Sequence, residues 1–329
     1  MNQPRHSSVP RWLHGWAILT VAAALPLLIL GAEVTTKQVG MADTTSLREP
    51  WYLFTLSKDT LWAQGIGLVI EHSHRTAGWL VGICSIVLAI GMWFGAKGSR
   101  VRGVGLLALL LVVAQGLLGI FRVKLNAWVG PEMAMFHGLF AQIVFATLLS
   151  VAIVTSRNWL DDTTEPKSGL RALAGILMAV TLGQIVFGAL VRHQLSPFAQ
   201  RVHVLFAFAV VAAIAWLVRA SREEPVDRAV RRVALILAGL VCFQVALGVE
   251  SWLRRFGAGV PVETVKATTA SDLVRTAHFF VGALLFSGTV AVNLLLYRPN
   301  SATVPSADAA STAALNVGNR ITAPVGGTL

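Results

Sequence analysis

Eight stretches of this chain are long and apolar enough to cross a bilayer, at residues 12–32, 69–94, 103–121, 134–156, 170–191, 202–219, 229–250 and 274–297. A helix needs roughly 20 mostly apolar residues to span the hydrocarbon layer. Eight such helices use nearly all the apolar residues that a 329-residue chain at 55% apolar content can supply. Only 13% of the residues carry charge, about half the share usual in a soluble domain, which excludes a soluble enzyme. The net charge of +11 therefore bears on membrane orientation and anionic lipid. No basic patch interleaved with aromatic residues suggests nucleic-acid binding. The two cysteines, Cys84 and Cys242, lie far apart inside apolar runs and read as small buried hydrophobes.

The first stretch is too long for a signal-peptide core and is kept as a permanent span. Eight crossings put both termini on one side, and that side collects fifteen of the 27 Lys and Arg residues in short loops and tails. Cytoplasmic termini follow. With no transit-peptide pattern at the start, the expected location is a bacterial cytoplasmic (inner) membrane. On the opposite side Arg75, Arg122, Arg192, Arg201 and Arg275 stand at helix ends, where they can either meet anionic groups of a ligand or snorkel to headgroups. Two outer segments are long, 33–68 and 251–273. Trp51, Tyr52, Phe54 and Trp62 suggest that the first lies on the membrane surface. Residues 301–329, poor in large apolar groups, read as a disordered tail.

An internal duplication runs through the spans. The third, fifth and seventh helices each carry Gln-x-x-x-Gly near the outer end: Gln115 with Gly119, Gln184 with Gly188, and Gln244 with Gly248. Residues four apart share a face, so each helix offers an amide beside a gap that admits a neighbouring helix or a flat ligand. Every even-numbered helix begins at its outer end with a histidine: His74, His137, His203 and His278. Laying helices 1–4 over 5–8 maps His74 to His203 and His137 to His278. The expected fold is an all-α integral membrane protein of eight transmembrane helices, arranged as two pseudo-twofold-related four-helix bundles. Residues 1–160 form one half and 161–300 the other.

An ionisable group inside a membrane is costly to bury and is a functional candidate by default. Two neutral imidazoles facing each other across a bundle can supply both axial ligands of a haem iron, and two halves give two such sites. Zinc fits less well, because no Cys, Asp or further His completes a tetrahedral set within either pair. His72 and His74 are too close together to ligate two stacked haems on one helix. His6, His14 and His193 lie near termini or loops and read as solvated or interfacial. Glu71 precedes His74 by three residues and shares its face. Its carboxylate can move protons or stabilise positive charge beside the pocket, or serve only as a partner for Arg75 or the helix N-terminus. The second half has no Glu at the matching place, since His203 follows Gln200-Arg201-Val202.

These residues resemble the haem A synthase family (COX15/CtaA type). The resemblance runs from Gly31-Ala32-Glu33-Val34-Thr35 and Gly40-Met41-Ala42, through Glu71-x-x-His74-Arg75, to the three Gln-x-x-x-Gly helices and His137, His203 and His278. It implies a membrane oxidoreductase that oxidises the C8 methyl of haem O to the formyl group of haem A for cytochrome c oxidase. It also implies that His74 and His137 bind the substrate haem O, that His203 and His278 bind a haem B cofactor, and that Glu71 is the catalytic acid/base residue. Haem O synthase, oxidase assembly factors and a further copy of the chain are the partners it suggests. Many members carry a cysteine pair in the first outer loop, and residues 33–68 contain none, so a thiol-based step is not available here. The competing readings are a non-catalytic di-haem protein for electron transfer or oxidase assembly, and a transporter with histidine proton relays.

Overall fold

The computed structural model describes residues 9–298, apart from 44, 46–48, 50, 56, 58, 60–62, 97–100, 131, 158, 160–167, 224–225, 258, 261–263 and 266. Among the described residues every regular element is helical. Eight helices are long and apolar enough to cross a membrane: α1 (Arg11–Thr36), α2 (Ile66–Gly95), α3 (Val101–Lys124), α4 (Glu132–Val154), α5 (Ser168–Gln194), α6 (Pro197–Glu223), α7 (Arg228–Phe256) and α8 (Thr269–Leu296). Single helical turns at Tyr52–Thr55 and Asn126–Val129 lie in the connections. The expected tail at 301–329 falls outside the described residues.

Most of these helices begin or end beyond the apolar runs, and local chemistry accounts for the extra turns. The α8 helix starts five residues before residue 274 because the Thr268 hydroxyl caps it, accepting from Ser271 N–H at 3.1 Å. Pro197 occupies the first position of α6, where a missing N–H costs nothing, and the Ser196 hydroxyl accepts from Ala199 N–H at 3.2 Å. Asp227 caps α7 through Ala229 N–H at 2.9 Å. Polar first and last turns carry no apolar signal, so a hydropathy reading stops short of them.

Each four-helix set closes on itself. In the first half α1 packs on α2, α2 on α3, α3 on α4 and α4 on α1; in the second, α5, α6, α7 and α8 repeat the cycle. Each set surrounds its own buried cluster, one built around Leu13, Leu88, Met92, Leu148 and Val151, the other around Leu177, Ile214, Leu217 and Leu237. The α8 helix joins them, giving Ala283 to the first cluster and Leu285, Val292 and Leu296 to the second. The halves meet where α8 packs on α4 and α1, and α5 on α4. Outward faces such as Leu205, Phe208 and Trp216 of α6 stay bare, as lipid-facing surfaces do. Cys84 is buried as expected, but Cys242 faces outward: an apolar run in a membrane helix covers both its lipid face and its core face, and the run alone does not tell them apart.

Polar bonds tie the halves together where α1 ends and α8 begins. Lys37 Nζ donates to Asp272 Oδ2 at 2.9 Å, and Thr276 Oγ1 donates to Thr36 Oγ1 at 3.3 Å. The Asp272 hydrogen bond raises the Lys37 pKa above its ordinary 10.5. The tie is therefore intact at neutral pH and is lost only as alkali takes the pH up through that raised value.

Close approach of α7 to α8 rests on Gly288, whose Cβ, if present, would stand 2.7 Å from Cδ2 of the fully buried Leu237. Gly288→Leu overpacks this contact and is expected to cost about 1–3 kcal/mol, read as a lower thermal midpoint of the detergent-solubilised protein. Gly239→Leu, at a site with open space around it, serves as the control.

Candidate functional site

The four predicted histidines stand five to nine residues after the first residue of α2, α4, α6 and α8, and they meet in two pairs. The His74 and His137 ring centres are 6.4 Å apart with planes at 86°. The corresponding separation for His203 and His278 is 6.2 Å, with planes at 70°. By five-membered-ring geometry an imidazole nitrogen lies about 1.1 Å from its ring centre, and a metal–nitrogen bond measures about 2.0–2.1 Å. Two rings on opposite sides of one metal ion therefore have centres about 6.3 Å apart, the separation found in both pairs.

Each ring stands in a gap left by a glycine on the preceding helix. A Cβ would lie 2.9 Å from His74 Cε1 at Gly31, 3.1 Å from His137 Cε1 at Gly119, 2.8 Å from His203 Cε1 at Gly188 and 3.1 Å from His278 Cε1 at Gly248. Three of these glycines belong to the Gln-x-x-x-Gly repeats. The fourth, Gly31 on α1, occupies the same place with Leu27 where the others have glutamine. The unit is thus a helical hairpin used four times: glycine on the first helix, histidine on the second. Looking for Gly alone, without insisting on Gln, at the outer end of helix 1 would have found the fourth copy in the sequence.

Backbone carbonyls orient the rings. His74 Nδ1 donates to Leu27 O at 3.2 Å and His203 Nδ1 to Gln184 O at 2.9 Å. Because a carbonyl can only accept, Nδ1 carries the proton and Nε2 keeps its lone pair, the form that ligates a metal. His278 meets the Gln244 backbone similarly but outside hydrogen-bond geometry. The glutamine amides point at the histidines, with Nε2 3.3 Å from both ring nitrogens of His137 for Gln115, and 3.3 Å and 3.4 Å from Nε2 of His203 and His278 for Gln184 and Gln244. All three amide oxygens are buried without a partner. Orphaned acceptors beside unprotonated ring nitrogens mark a place built to receive another polar group. Among the described residues no set of three or more His, Cys, Asp and Glu side chains could hold a bare ion. Two imidazoles suit a metal whose other ligands arrive with it, and a haem iron brings four porphyrin nitrogens.

Glu71 is 3% exposed, with one oxygen on Arg75 Nη2 at 2.5 Å and the other accepting from Asp43 N–H at 2.6 Å. The Arg75 partnership that the sequence left as an alternative is therefore present. Arg122, from the last turn of α3, adds electrostatic attraction to Glu71. His72, without a role in the sequence reading, is buried and bonds Asp43 Oδ2 through Nδ1 at 2.8 Å. Tyr52, expected at the membrane surface, turns inward and donates to Asp43 Oδ1 at 2.9 Å. Its phenol pKa is pushed above the ordinary 10, first by burial and then by that carboxylate. Asp43 carried no signal in the sequence and Tyr52 only that of a surface aromatic, because nothing in a loop's composition shows which residues fold back onto a helix.

Arg192 lies between the two histidine pairs. Its Nη2 donates to Ala32 O at 2.9 Å and Thr36 Oγ1 at 2.7 Å, and its guanidinium sits 5.4 Å from the Phe279 ring centre. Ala32 adjoins the glycine beside His74, and Phe279 adjoins His278. Arg275 is half-buried and Arg201 exposed. Of the remaining histidines, His14 is half-buried in α1 with Nδ1 3.2 Å from Thr155 Oγ1, and His193 is half-buried in the last turn of α5. His6 lies outside the described residues.

Residues 60–199 match the family model described as COX15-CtaA, cytochrome oxidase assembly protein. That segment holds Glu71, His74, Gln115, Gly119, His137, Gln184 and Gly188. The chain is 29% identical over 187 residues to a protein named heme A synthase from Alkalihalophilus pseudofirmus, covering 56% of this chain and 61% of that one. It is 30% identical over 142 residues to a heme A synthase from Halalkalibacterium halodurans, covering 41% and 45%. A protoheme IX farnesyltransferase from Halobacterium salinarum is 26% identical over 174 residues, covering 50% of this chain and 36% of that protein. The chain thus spans about half the length of these relatives. No solved structure matches it.

Filling a glycine gap tests whether the cradle matters. Gly188→Val is expected to displace the His203 ring and, where that pair holds a haem iron, to abolish its low-spin absorption. Gly175→Val, on the same helix with open space around it, leaves that absorption unchanged.

Proposed function

We propose that the chain is a member of the haem A synthase family, as its match to the COX15-CtaA model and its two heme A synthase relatives support, and that it oxidises the C8 methyl group of haem O to the formyl group of haem A. The observation that carries this reading is the presence of two imidazole pairs at iron-spanning separation, with the buried Glu71 three residues before His74 and no counterpart before His203. His74 and His137 hold the substrate haem O in the half formed by residues 1–160. His203 and His278 hold haem B in the half formed by residues 161–300, and the two halves are related by a pseudo-twofold axis.

Haem B, when bound, supplies a one-electron relay. The chain's own residues do the rest. His74 and His137, each wedged against a glycine, fix the plane in which the substrate lies. Turning a methyl into a formyl group takes up the oxygen of one water molecule and releases four protons and four electrons; with His74 and His137 holding the substrate iron, those electrons would pass by way of the second half to an external acceptor. Arg192 bridges the two sites through Ala32 and Phe279 and places a positive charge between them. Arg75 and Arg122 add positive charge to the outer end of the first site and Arg192 and Arg275 to the second, the end where anionic edge groups of a macrocycle are accommodated. Glu71 sits one turn outward of His74 on the same helix face. There it takes protons from the methyl carbon or stabilises positive charge developing on it. A lipid-tailed substrate enters sideways from the bilayer. Both termini lie on the cation-rich cytoplasmic face of a bacterial inner membrane, and a haem O synthase delivers the substrate.

Pigment extraction from protein made together with haem O synthase tests the reading: haem B with a mixture of haem O and haem A is expected. Haem B alone would favour a di-haem electron-transfer or assembly protein, and no pigment would favour a transporter. Glu71→Ala is expected to keep both haems yet lower haem A output by about 100-fold or more. Undiminished haem A would remove Glu71 from the chemistry. His278→Ala is expected to lose the haem B absorption while haem O stays bound in the first half; an intact haem B signal would contradict that assignment.

A further inference from the structure

The loop after α1 folds back onto the start of α2 and is held there by a hub with no counterpart in the histidine repeats. Its first turn is set by Lys37 N–H to Glu33 O at 2.9 Å and Val39 N–H to Val34 O at 3.0 Å. Gly40 is in contact with the Arg122 guanidinium, and Gly67 lets Val39 press against α2, since a Cβ there would lie 2.9 Å from Val39 Cγ1. The chain then delivers Asp43, fully buried, against Glu71. A buried carboxylate is costly unless its oxygens are bonded, and both Asp43 oxygens are: Oδ1 accepts from Tyr52 O–H at 2.9 Å and Oδ2 lies 2.8 Å from His72 Nδ1. The Tyr52 ring stands edge-on to His72, with centres 5.1 Å apart. Three segments thus converge on one carboxylate: the loop itself, the single turn at Tyr52–Thr55 and α2. What this anchoring fixes is the Asp43 backbone N–H, which donates to Glu71 Oε2 at 2.6 Å.

We infer that Asp43 is a positioning residue for Glu71, with Tyr52 and His72 as its anchors; the inference rests on Glu71 acting in the reaction proposed above. Arg75 binds Glu71 Oε1 and comes from the same helix, so alone it leaves the carboxylate free to swing about its own side chain. The Asp43 N–H comes from a different segment and holds the second oxygen, which fixes the carboxylate plane. Misplacing a reacting group by about 1 Å can cost 100-fold in rate, so a single backbone N–H has leverage here. The second half has no Glu at the matching place before His203, so nothing there corresponds to Glu71.

The experiment uses the full chain in lipid nanodiscs, produced together with haem O synthase, and reads haem A formed per bound haem O, haem B absorption, and deuterium exchange over residues 39–45. Asp43→Ala is expected to lower haem A formation by about 10- to 100-fold with haem B absorption unchanged. Asp43→Asn, which keeps an acceptor for Tyr52, recovers most of that loss. In the double variant Asp43→Ala/Glu71→Ala, formation falls no lower than in Glu71→Ala alone, because Asp43 acts through Glu71. Exchange over residues 39–45 rises about tenfold in Glu71→Ala, as expected when a charge-assisted bond is removed. Tyr52→Phe, a milder change, carries the same cycle if Asp43→Ala does not accumulate. Losses that multiply in the double variant, or exchange unaltered by Glu71→Ala, would overturn the role of Asp43. Full haem A formation in Glu71→Ala would instead overturn the reading of Glu71 itself.

Discussion

An imidazole ring can stand upright between two close-packed helices only where the neighbouring helix has nothing in the way. That steric fact, met four times by Gly31, Gly119, Gly188 and Gly248, is what the rest of the molecule depends on. A side chain at any of these positions would collide with a ring and move it off the axis it shares with its partner. The Nδ1 bonds to Leu27 and Gln184 carbonyls then set how each ring turns in its gap. The outcome is two ring-to-ring separations, 6.4 Å and 6.2 Å, that agree with each other and with the span of one metal ion between two nitrogens.

Repetition makes the two sites alike, and departures from repetition make them different. The Leu27-to-Gly31 copy has no amide, so His74 alone among the four lacks a glutamine beside it. Its own helix brings a carboxylate instead, and the following loop brings a hub to hold that carboxylate. The second half keeps three elements of the repeat without addition: glycine, glutamine and histidine. The first pair thereby has a buried carboxylate three residues before one of its histidines, and His203 has none at the matching place. Arg192, bonded to α1 and 5.4 Å from the Phe279 ring centre of α8, links a helix of the first half to one of the second.

How much of this was legible in the sequence varies with the kind of interaction. The eight spans were readable because lipid imposes a composition on every helix that faces it, whereas the helix ends were not, because caps such as Thr268 and Asp227 are polar. The four histidines were readable from their matched depth, and their pairing followed from the duplication. Gly31, quoted only as part of the family resemblance, was missed as the fourth copy of the repeat because the pattern sought a glutamine that helix 1 replaces with Leu27. Asp43, Tyr52 and His72 were not readable as a group, since they are brought together by a loop that reverses direction, and no periodicity records such a fold-back. The outward face of Cys242 was hidden for the converse reason: in lipid, outside and inside are both apolar.

The most direct test of the central claim is electron paramagnetic resonance of the purified, fully oxidised protein carrying its haems. Two imidazoles on each iron predict two low-spin ferric signals per chain, one disappearing in His137→Ala and the other in His203→Ala. A high-spin signal from iron with a single protein ligand, or one low-spin signal removed by either substitution, would contradict the pairing on which the account stands.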